Sequence, residues 1–304
     1  PQIALLQLCS DDLAFLVDPL AVGDLSGVQE LLVDPAIVKV IHSCSEDLEV
    51  FRHWLGALPD PLIDTQRAAA LLGEPFGLGY RALVETLLGV SLEKGETRSD
   101  WLKRPLSESQ CHYAAQDVLQ LLPAWRVLRE RAVTSNRMPW LLEEGADARN
   151  APADREPYRR VKGAGRLKPR ELEVLRRLTQ WREERAQKLD RPRGWVLADK
   201  ACLAIAREQP RHREALASLD VLPPAVLRRQ GDRLVELVGE ALATPESEIP
   251  AASPPALAPE GRAQLKQLRG VLQELAGSLG VAPEAALAGA ELELLVREAA
   301  GEVI

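Results

Sequence analysis

Tyr113 and Asp117 place a phenol and a carboxylate four residues apart in a segment that the sequence predicts to be helical. Residues at i and i+4 lie on the same face of an α-helix, so the hydroxyl donor and the acidic oxygens could act on one small volume together. Many helices carry this spacing by chance, with the tyrosine half-buried and the aspartate solvated. The pair therefore needs support from its surroundings.

The elements around this pair alternate between strands and helices. Strands are predicted at residues 3–8, 13–17, 38–41 and 62–64, the first two joined as a hairpin by Ser10-Asp11-Asp12. Helices are predicted at residues 25–32, 47–54, 65–72 and 80–88, and from near 107 to 131. Capping-box patterns at Ser43–Glu46 and Ser107–Gln110 mark two of the helix starts. This order predicts an α/β layer of about 130 residues.

Composition favours a helix-rich globular protein of two or three domains. The chain has 304 residues, of which 46% are hydrophobic, 27% charged and only 4% aromatic. Its four cysteines form no CxxC pair, so we expect reduced thiols in a cytoplasmic protein: Cys9, Cys44, Cys111 and Cys202. No apolar run approaches the roughly 18 residues of a membrane span, and no membrane association is expected.

The charge is distributed unevenly. Fourteen basic and six acidic residues lie between Arg155 and Arg193, so this segment carries +8 and the remainder of the chain, at −7 overall, carries −15. Glu–Arg pairs on a solvated helix explain part of the pattern. They do not explain the stretch 158–170, which contains no acidic residue and predicts contact with a polyanion. Its candidate contact residues are Arg159, Arg160, Lys162, Arg166, Lys168 and Arg170.

After Met138 the pattern is helical throughout. A helix opening at Lys168-Pro169 carries an apolar stripe of Leu172, Leu175, Leu178 and Trp181, and further helices are predicted at residues 199–208, 212–217, 226–243, 262–276 and 283–300. We expect Trp181 and Trp195 to be core residues. A stretch rich in proline and alanine before residue 259 predicts an extended linker.

Three passages match one family in their order and spacing: residues 39–48 (KVIHSCSEDL), 96–106 (ETRSDWLKRPL) and 113–118 (YAAQDV). Residues 168–243 add Trp181-Arg182, Asp190-Arg191-Pro192 and Val196-Leu197-Ala198-Asp199. Together these passages resemble ribonuclease D, of the tyrosine subgroup of DEDD 3′→5′ exonucleases, with helicase-and-RNase-D C-terminal (HRDC) domains.

The resemblance implies a ribonuclease H-like α/β exonuclease domain followed by all-α HRDC helical bundles. The expected divisions are an exonuclease domain at 1–134, a basic connecting segment at 135–166, an HRDC domain at 167–245, a linker at 246–258 and a second, incomplete HRDC-like domain at 259–304. The implied activity is hydrolysis of RNA from the 3′ end, releasing 5′-mononucleotides, with tRNA precursors and other small structured RNAs as substrates. A monomer is expected.

The resemblance also assigns the site. Asp47 and Asp117 match metal-binding aspartates, and Tyr113 matches the tyrosine that positions the attacking water. Without the resemblance to this family, Asp47 would be interpreted as an acidic residue favoured near a helix N-terminus. Carboxylates suit Mg²⁺ or Mn²⁺, and two such ions about 4 Å apart can serve both oxygens of an in-line displacement. The family takes two further carboxylates from an Asp-x-Glu motif on an earlier strand, and no such motif precedes residues 3–8 here.

This absence leaves alternatives open. The chain could be a non-catalytic nucleic-acid-binding module with a degenerate or truncated nuclease site, or an exonuclease of the same fold that acts on DNA. Arg98, Trp101 and Arg104 match the family pattern, but a buried tryptophan and charge-satisfying arginines explain them equally well. His42, His112 and Asp64 match no catalytic position, and we expect the two histidines to be structural.

Overall fold

A computed structural model describes the chain apart from residues 1, 2, 12, 93, 94, 97, 98, 152–155, 190, 252, 253, 255, 303 and 304. Arg98, Arg155 and Asp190 therefore lie outside the described residues. The chain forms two compact units, one made of residues 3–151 and 257–304 and the other of residues 152–256. The predicted domain boundaries remain predictions.

Four short strands form two sheets in the described part of the first unit. The predicted hairpin is confirmed, with β1 (Leu6–Ser10) antiparallel to β2 (Leu13–Val17), although β1 begins later than expected. The strand predicted at residues 38–41 forms β3 (Lys39–Ile41), which is parallel to β4 (Leu62–Asp64). Ile41 pairs with Asp64, so the carboxyl ends of both strands meet at one edge.

Seven helices follow or separate these strands: α1 (Ser26–Val33), α2 (Ser45–Trp54), α3 (Thr65–Leu71), α4 (Tyr80–Leu88), α5 (Glu108–Leu119), α6 (Leu121–Thr134) and α7 (Met138–Asn150). The core contains β4, α3, α4 and α6, with Ile63, Ala69, Leu83 and Leu128 fully buried. The consecutive alanines of α3 let its neighbours approach closely because they add little side-chain volume.

The single helix predicted from near 107 to 131 is wrong, since α5 ends at Leu119 and α6 begins at Leu121. Pro123 explains the break, because proline lacks an N–H for the carbonyl of Leu119 and its ring clashes with that carbonyl in a continuous helix. The capping box at Ser107 is confirmed: its hydroxyl accepts the N–H of Gln110 at 3.1 Å, and the Gln110 side chain accepts the N–H of Ser107 at 3.0 Å.

The second unit is helical. Its helices are α8 (Pro169–Leu189), α9 (Arg193–Val196), α10 (Asp199–Glu208), α11 (Arg213–Ser218) and α12 (Pro224–Ala243), with 3₁₀ turns at Pro157–Arg160, Ala164–Arg166 and Glu246–Glu248. The predicted apolar stripe of α8 is buried at Leu172, Leu175 and Leu178, and Trp181 packs against this core. The expectation for Trp195 is wrong: its side chain is 76% exposed, because it lies on the short α9 outside the main bundle.

The last helices belong to the first unit. They are α13 (Pro259–Leu279), α14 (Pro283–Ala286) and α15 (Gly289–Ala299), where a single final helix was predicted over 283–300. The N–H of Ala282 donates to the carbonyl of Ala70 in α3 at 2.8 Å, and Arg137 donates to the carbonyls of Leu71 and Gly280. Because α14 covers α3, residues after 256 complete the first unit's core. None of the helices in the described ranges is both long and apolar enough to cross a membrane.

Gly145 permits the contact between α7 and β4. A Cβ atom added there would lie 1.9 Å from the carbonyl oxygen of Leu62, whereas one added at Gly27 in α1 would meet nothing within 4 Å. We therefore expect Gly145→Ala to destabilise the protein by about 2 kcal/mol, because α7 must move away from the strand. Gly27→Ala, its matched control in a helix, should be neutral or stabilising. Thermal unfolding of both variants tests this, and equal midpoints would contradict it.

Candidate active site

The carboxylate of Asp64, at the end of β4, organises the start of α2. Its Oδ1 accepts the backbone N–H of Ser43 at 2.9 Å and that of Gln66 at 2.8 Å, and its Oδ2 accepts the N–H of Cys44 at 3.0 Å. Asp64 is buried, so these bonds replace the water that an ionised carboxylate otherwise needs. One side chain thereby fixes the first turns of both α2 and α3.

The capping box predicted at Ser43–Glu46 is wrong. Cys44 is the N-cap residue and makes no side-chain cap, while Ser43 lies in the left-handed region with a φ of 58°. The local pattern failed because the N–H groups of both residues donate to Asp64, which is 21 and 20 residues away along the chain. Burial, and then the charge of Asp64, raise the pKa of the Cys44 thiol to about 12, so the thiol stays protonated.

Asp47 lies in the first turn of the helix that Asp64 positions. Its side chain is exposed, yet the surrounding protein removes enough water to raise the pKa of its carboxyl, and the charges of Glu46 and Asp64 add to this effect. An accessible carboxylate that is penalised for being ionised can be relieved by a bound cation. A position near a helix N-terminus alone would favour the ionised carboxylate, so it does not account for the raised pKa of Asp47.

Tyr113 and Asp117 line one cavity of about 280 Å³, as their spacing on α5 predicts. The cavity is also lined by Arg81 of α4 and by residues 90–92 and 95. Its polar lining includes Arg81, Ser91, Ser109, His112, Gln116 and the Tyr113–Asp117 pair. Arg81 was missed by the sequence analysis, because nothing in the local pattern of α4 distinguishes it from a solvated helical arginine.

Burial and the charge of Arg81 act in opposite directions on the pKa values of Asp117 and Tyr113. Burial raises the pKa of the Asp117 carboxyl, and the Arg81 guanidinium opposes that shift. The pKa of the Tyr113 phenol is also raised, first by burial and then by the charge of Asp117, again with Arg81 opposing. Tyr113 is therefore a neutral hydroxyl at physiological pH, able to donate one hydrogen bond while its oxygen accepts others.

The second of the three family passages, residues 96–106 (here called the middle motif), packs against the ring of Tyr113. The Trp101 and Tyr113 rings have centroids 6.1 Å apart at 46°, and the Trp101 indole N–H donates to the carbonyl of Glu96 at 3.2 Å. Gly95 also approaches the ring, since a Cβ atom there would lie 2.6 Å from Cδ2 of Tyr113. The Glu96 carboxylate accepts the Ser109 hydroxyl at 2.7 Å, which ties this loop to α5.

Arg104 is paired with an acidic residue and is not among the residues that line the cavity. It forms a bidentate pair with Asp18 at 2.6 and 2.8 Å and donates to the carbonyl of Ala4. His42 has a structural place too, with Nδ1 3.0 Å from the Thr65 hydroxyl, and burial lowers the pKa of its imidazole. His112, by contrast, is exposed and lines the cavity beside Tyr113.

The carboxylates fit part of a metal centre. Within the ranges that the structure describes, no group of three or more His, Cys, Asp and Glu residues could hold a metal ion. Asp47 and Asp117 nevertheless supply the oxygen ligands that Mg²⁺ and Mn²⁺ favour, and a cation would reverse the raised pKa of each carboxyl. Further oxygen ligands are needed to complete such a centre.

In the second unit, five of the six candidate polyanion contacts are exposed: Arg159, Arg160, Lys162, Arg166 and Lys168. Arg159 pairs with Glu156 at 3.1 Å, a contact that exposure makes weak. Arg170 differs, since its guanidinium donates to the carbonyls of Ala241 and Thr244 at 3.2 and 2.6 Å. It caps the C-terminal end of α12.

Two family models match the chain. The model described as 3′-5′ exonuclease matches residues 1–132, and that described as HRDC domain matches residues 171–238. The first therefore covers the strands, Asp47 and the Tyr113–Asp117 cavity. The second covers most of the helical unit.

Individual relatives extend over both units. Ribonuclease D of Pseudomonas paraeruginosa is 45% identical over 302 residues, which are 98% of this chain and 80% of that protein. Ribonuclease D of Escherichia coli is 38% identical over 254 residues, covering 82% of this chain and 68% of its own length. The crystal structure of E. coli RNase D, described as an exoribonuclease involved in structured RNA processing, superposes with a TM-score of 0.81 at 33% identity, covering 100% of this chain and 82% of that one.

The Asp64 network can be tested through stability. Asp64→Asn should lower the free energy of unfolding by about 2 kcal/mol, because an amide N–H₂ then faces a backbone N–H that the carboxylate had accepted. Asp60→Asn is the matched control: Asp60 pairs with Arg149 at 3.0 Å but is 56% exposed, so its loss should cost less than about 1 kcal/mol. Urea unfolding measures both, and a larger loss for Asp60→Asn would refute the role of Asp64.

Proposed function

The chain belongs to the ribonuclease D family of 3′→5′ exoribonucleases, and we propose that Asp47, Tyr113 and Asp117 form its hydrolytic site. The observation that carries this proposal is the shared cavity of Tyr113 and Asp117. A phosphodiester entering it meets a neutral hydroxyl and a carboxylate of raised pKa on one helical face. Asp64 supports the arrangement because it fixes the turn from which Asp47 projects.

We propose a divalent cation, Mg²⁺ or Mn²⁺ in a two-metal site, as the cofactor. Asp47 and Asp117 would be among its ligands, together with further carboxylates of the Asp-x-Glu type. When bound, such ions activate water and stabilise the leaving 3′ oxygen of the phosphodiester. A bound cation would offset the desolvation that raises the pKa of both carboxyls, and at Asp117 the Arg81 guanidinium already opposes it.

Tyr113 would orient the attacking water. Its hydroxyl can donate to a phosphate oxygen while accepting from the water, and its raised pKa keeps the proton on the phenol. The ring is held by Trp101 and by the close approach of Gly95, so the hydroxyl keeps one direction. Fixed geometry of this kind lowers the entropic cost of reaching the transition state.

For substrates, we propose RNA 3′ ends, tRNA precursors and other small structured RNAs in particular, with release of 5′-mononucleotides by a monomeric, cytoplasmic enzyme. The exposed cations between Arg159 and Lys168 would hold the body of the RNA while its end enters the cavity. Contacts with phosphates provide affinity without sequence choice and weaken with salt. This suits an enzyme that must accept every nucleotide it reaches.

Asp117→Asn in the full-length protein should abolish nuclease activity on a 3′-labelled RNA in Mg²⁺ or Mn²⁺ while RNA binding persists. Because the folded-state pKa of Asp117 is raised, its ionised form lowers stability as the pH rises above the unfolded value, so the variant should be as stable as wild type or slightly more stable. Asp147→Asn, an exposed aspartate on α7, is the control and should keep activity.

Equal activity of Asp117→Asn and wild type would refute the assignment of the site. An inactive wild type that still binds RNA would favour a non-catalytic binding module. Faster degradation of single-stranded DNA than of RNA in the same assay would identify a DNA-directed exonuclease.

The basic surface is tested by salt dependence. Lys162→Gln and Arg166→Gln should each weaken RNA binding and reduce the slope of log K against log salt by about 0.7, the value for one phosphate contact on a single strand. Arg170→Gln should instead lower the unfolding midpoint and leave the slope unchanged, because its guanidinium caps α12. Unaltered slopes in the first two variants would exclude them from the interface.

A further inference from the structure

Among the described residues that line the cavity, Arg81 supplies a guanidinium beside the Asp117 carboxylate and the His112 imidazole. Among the described lining residues, Asp117 is acidic, and the hydroxyls of Ser91 and Ser109 and the Gln116 amide are neutral hydrogen-bonding groups. The proposed function assigns the carboxylate and the phenol of this cavity but leaves the guanidinium without a role. A positive group this close to the reacting centre needs an explanation.

The position of Arg81 is built into the fold. The preceding residue, Tyr80, is partly buried and its hydroxyl donates to the carbonyl of Gln116 at 3.1 Å, which fastens the first turn of α4 to α5 next to Asp117. Leu83 and Val84 anchor the same helix in the core, and both are fully buried. Arg81 therefore projects from a backbone that is fixed on two sides.

The charge of Arg81 acts on two groups of α5 that line the same cavity, Asp117 and Tyr113. Its guanidinium opposes the burial that raises the pKa of the Asp117 carboxyl and of the Tyr113 phenol. A carboxylate-lined cavity repels an incoming phosphodiester unless a cation offsets that charge. Arginine suits this task because its planar N–H groups can bind two phosphate oxygens at once.

We propose that Arg81 binds a backbone phosphate of the RNA segment whose 3′ end occupies the cavity. This inference rests on the proposed function, since it concerns the same cavity and the same substrate. Arg81 is then a substrate-binding residue that draws the polyanion past Asp117 and sets how far the strand enters. The rival role is a purely internal one, in which Arg81 only neutralises Asp117.

Binding in an Asp117→Asn background separates the two roles. In that background the charge interaction with Asp117 is already removed and turnover is suppressed, so an effect of Arg81 on the salt slope of RNA binding reflects a contact with the RNA and not the loss of that interaction. The probe is a fluorescent RNA tetranucleotide with a free 3′ hydroxyl, too short to span a large surface, titrated by anisotropy at several salt concentrations in Mg²⁺. Full-length Asp117→Asn protein is compared with its Arg81→Gln, Arg81→Lys and Arg129→Gln derivatives.

We expect Arg81→Gln to weaken binding about tenfold and to reduce the salt slope by about 0.7, as the loss of one phosphate contact does. Arg81→Lys should keep the slope and lose part of the affinity, because the charge remains without the bidentate geometry. Arg129→Gln removes an equal charge from an exposed position on α6 outside the cavity lining, and should match the Asp117→Asn parent.

Equal affinity and slope for Arg81→Gln and its parent would overturn the proposal, and so would weaker binding with an unchanged slope, since that marks an indirect change of shape. If thermal unfolding shows that Arg81→Gln is not folded, Arg81→Lys decides, and full parental affinity there would overturn it. Hydrolysis of the same tetranucleotide by wild type tests the proposed function separately. An inactive wild type would refute that function while the comparison of binding still decides the role of Arg81.

Discussion

The Asp64 carboxylate joins three elements through three backbone N–H groups, and the position of Asp47 depends on it. Asp64 ends β4, which pairs in parallel with β3, so it lies where the chain leaves β3 for α2. Ser43 adopts a left-handed conformation there, which a serine takes only when its surroundings favour it. The bonds to Asp64 supply that constraint, and Asp47 then leaves the turn at a fixed place.

The same interaction marks the limit of what the sequence could predict. The capping box at Ser107 was predicted correctly because both of its bonds join residues three apart. The related Ser-x-x-Glu pattern at Ser43 failed, since a carboxylate 21 residues further along the chain accepts the N–H of Ser43 instead. The break between α5 and α6 was not predicted either, although Pro123 is a local signal for it. The exposure of Trp195 has no local signal, because it depends on where a one-turn helix meets the bundle.

The candidate site also has parts that the local sequence predicts and parts that depend on tertiary contacts. The common direction of Tyr113 and Asp117 follows from the helical repeat, which is a local property, and the structure places both on one cavity. The groups that hold or balance them come from elsewhere: Trp101 packs on Tyr113 from a loop, and Arg81 faces Asp117 from another helix. Tertiary contacts of this kind leave no periodic signal, and only the resemblance to a family brought Asp47 and the middle motif into the prediction.

The charges of the site explain why its parts are so tightly supported. Asp47 and Asp117 both have raised carboxyl pKa values, so each lowers the stability of the ionised protein near neutral pH. A helix free to move could relieve this penalty by turning the carboxylate towards water. The hydrogen bond from Tyr80 to Gln116 opposes such a movement of α5 against α4, and Asp64 opposes it at α2. Because the carboxylates cannot turn towards water, they stay in place for a bound cation. The free-energy penalty of their desolvation is offset by the stability of the surrounding fold.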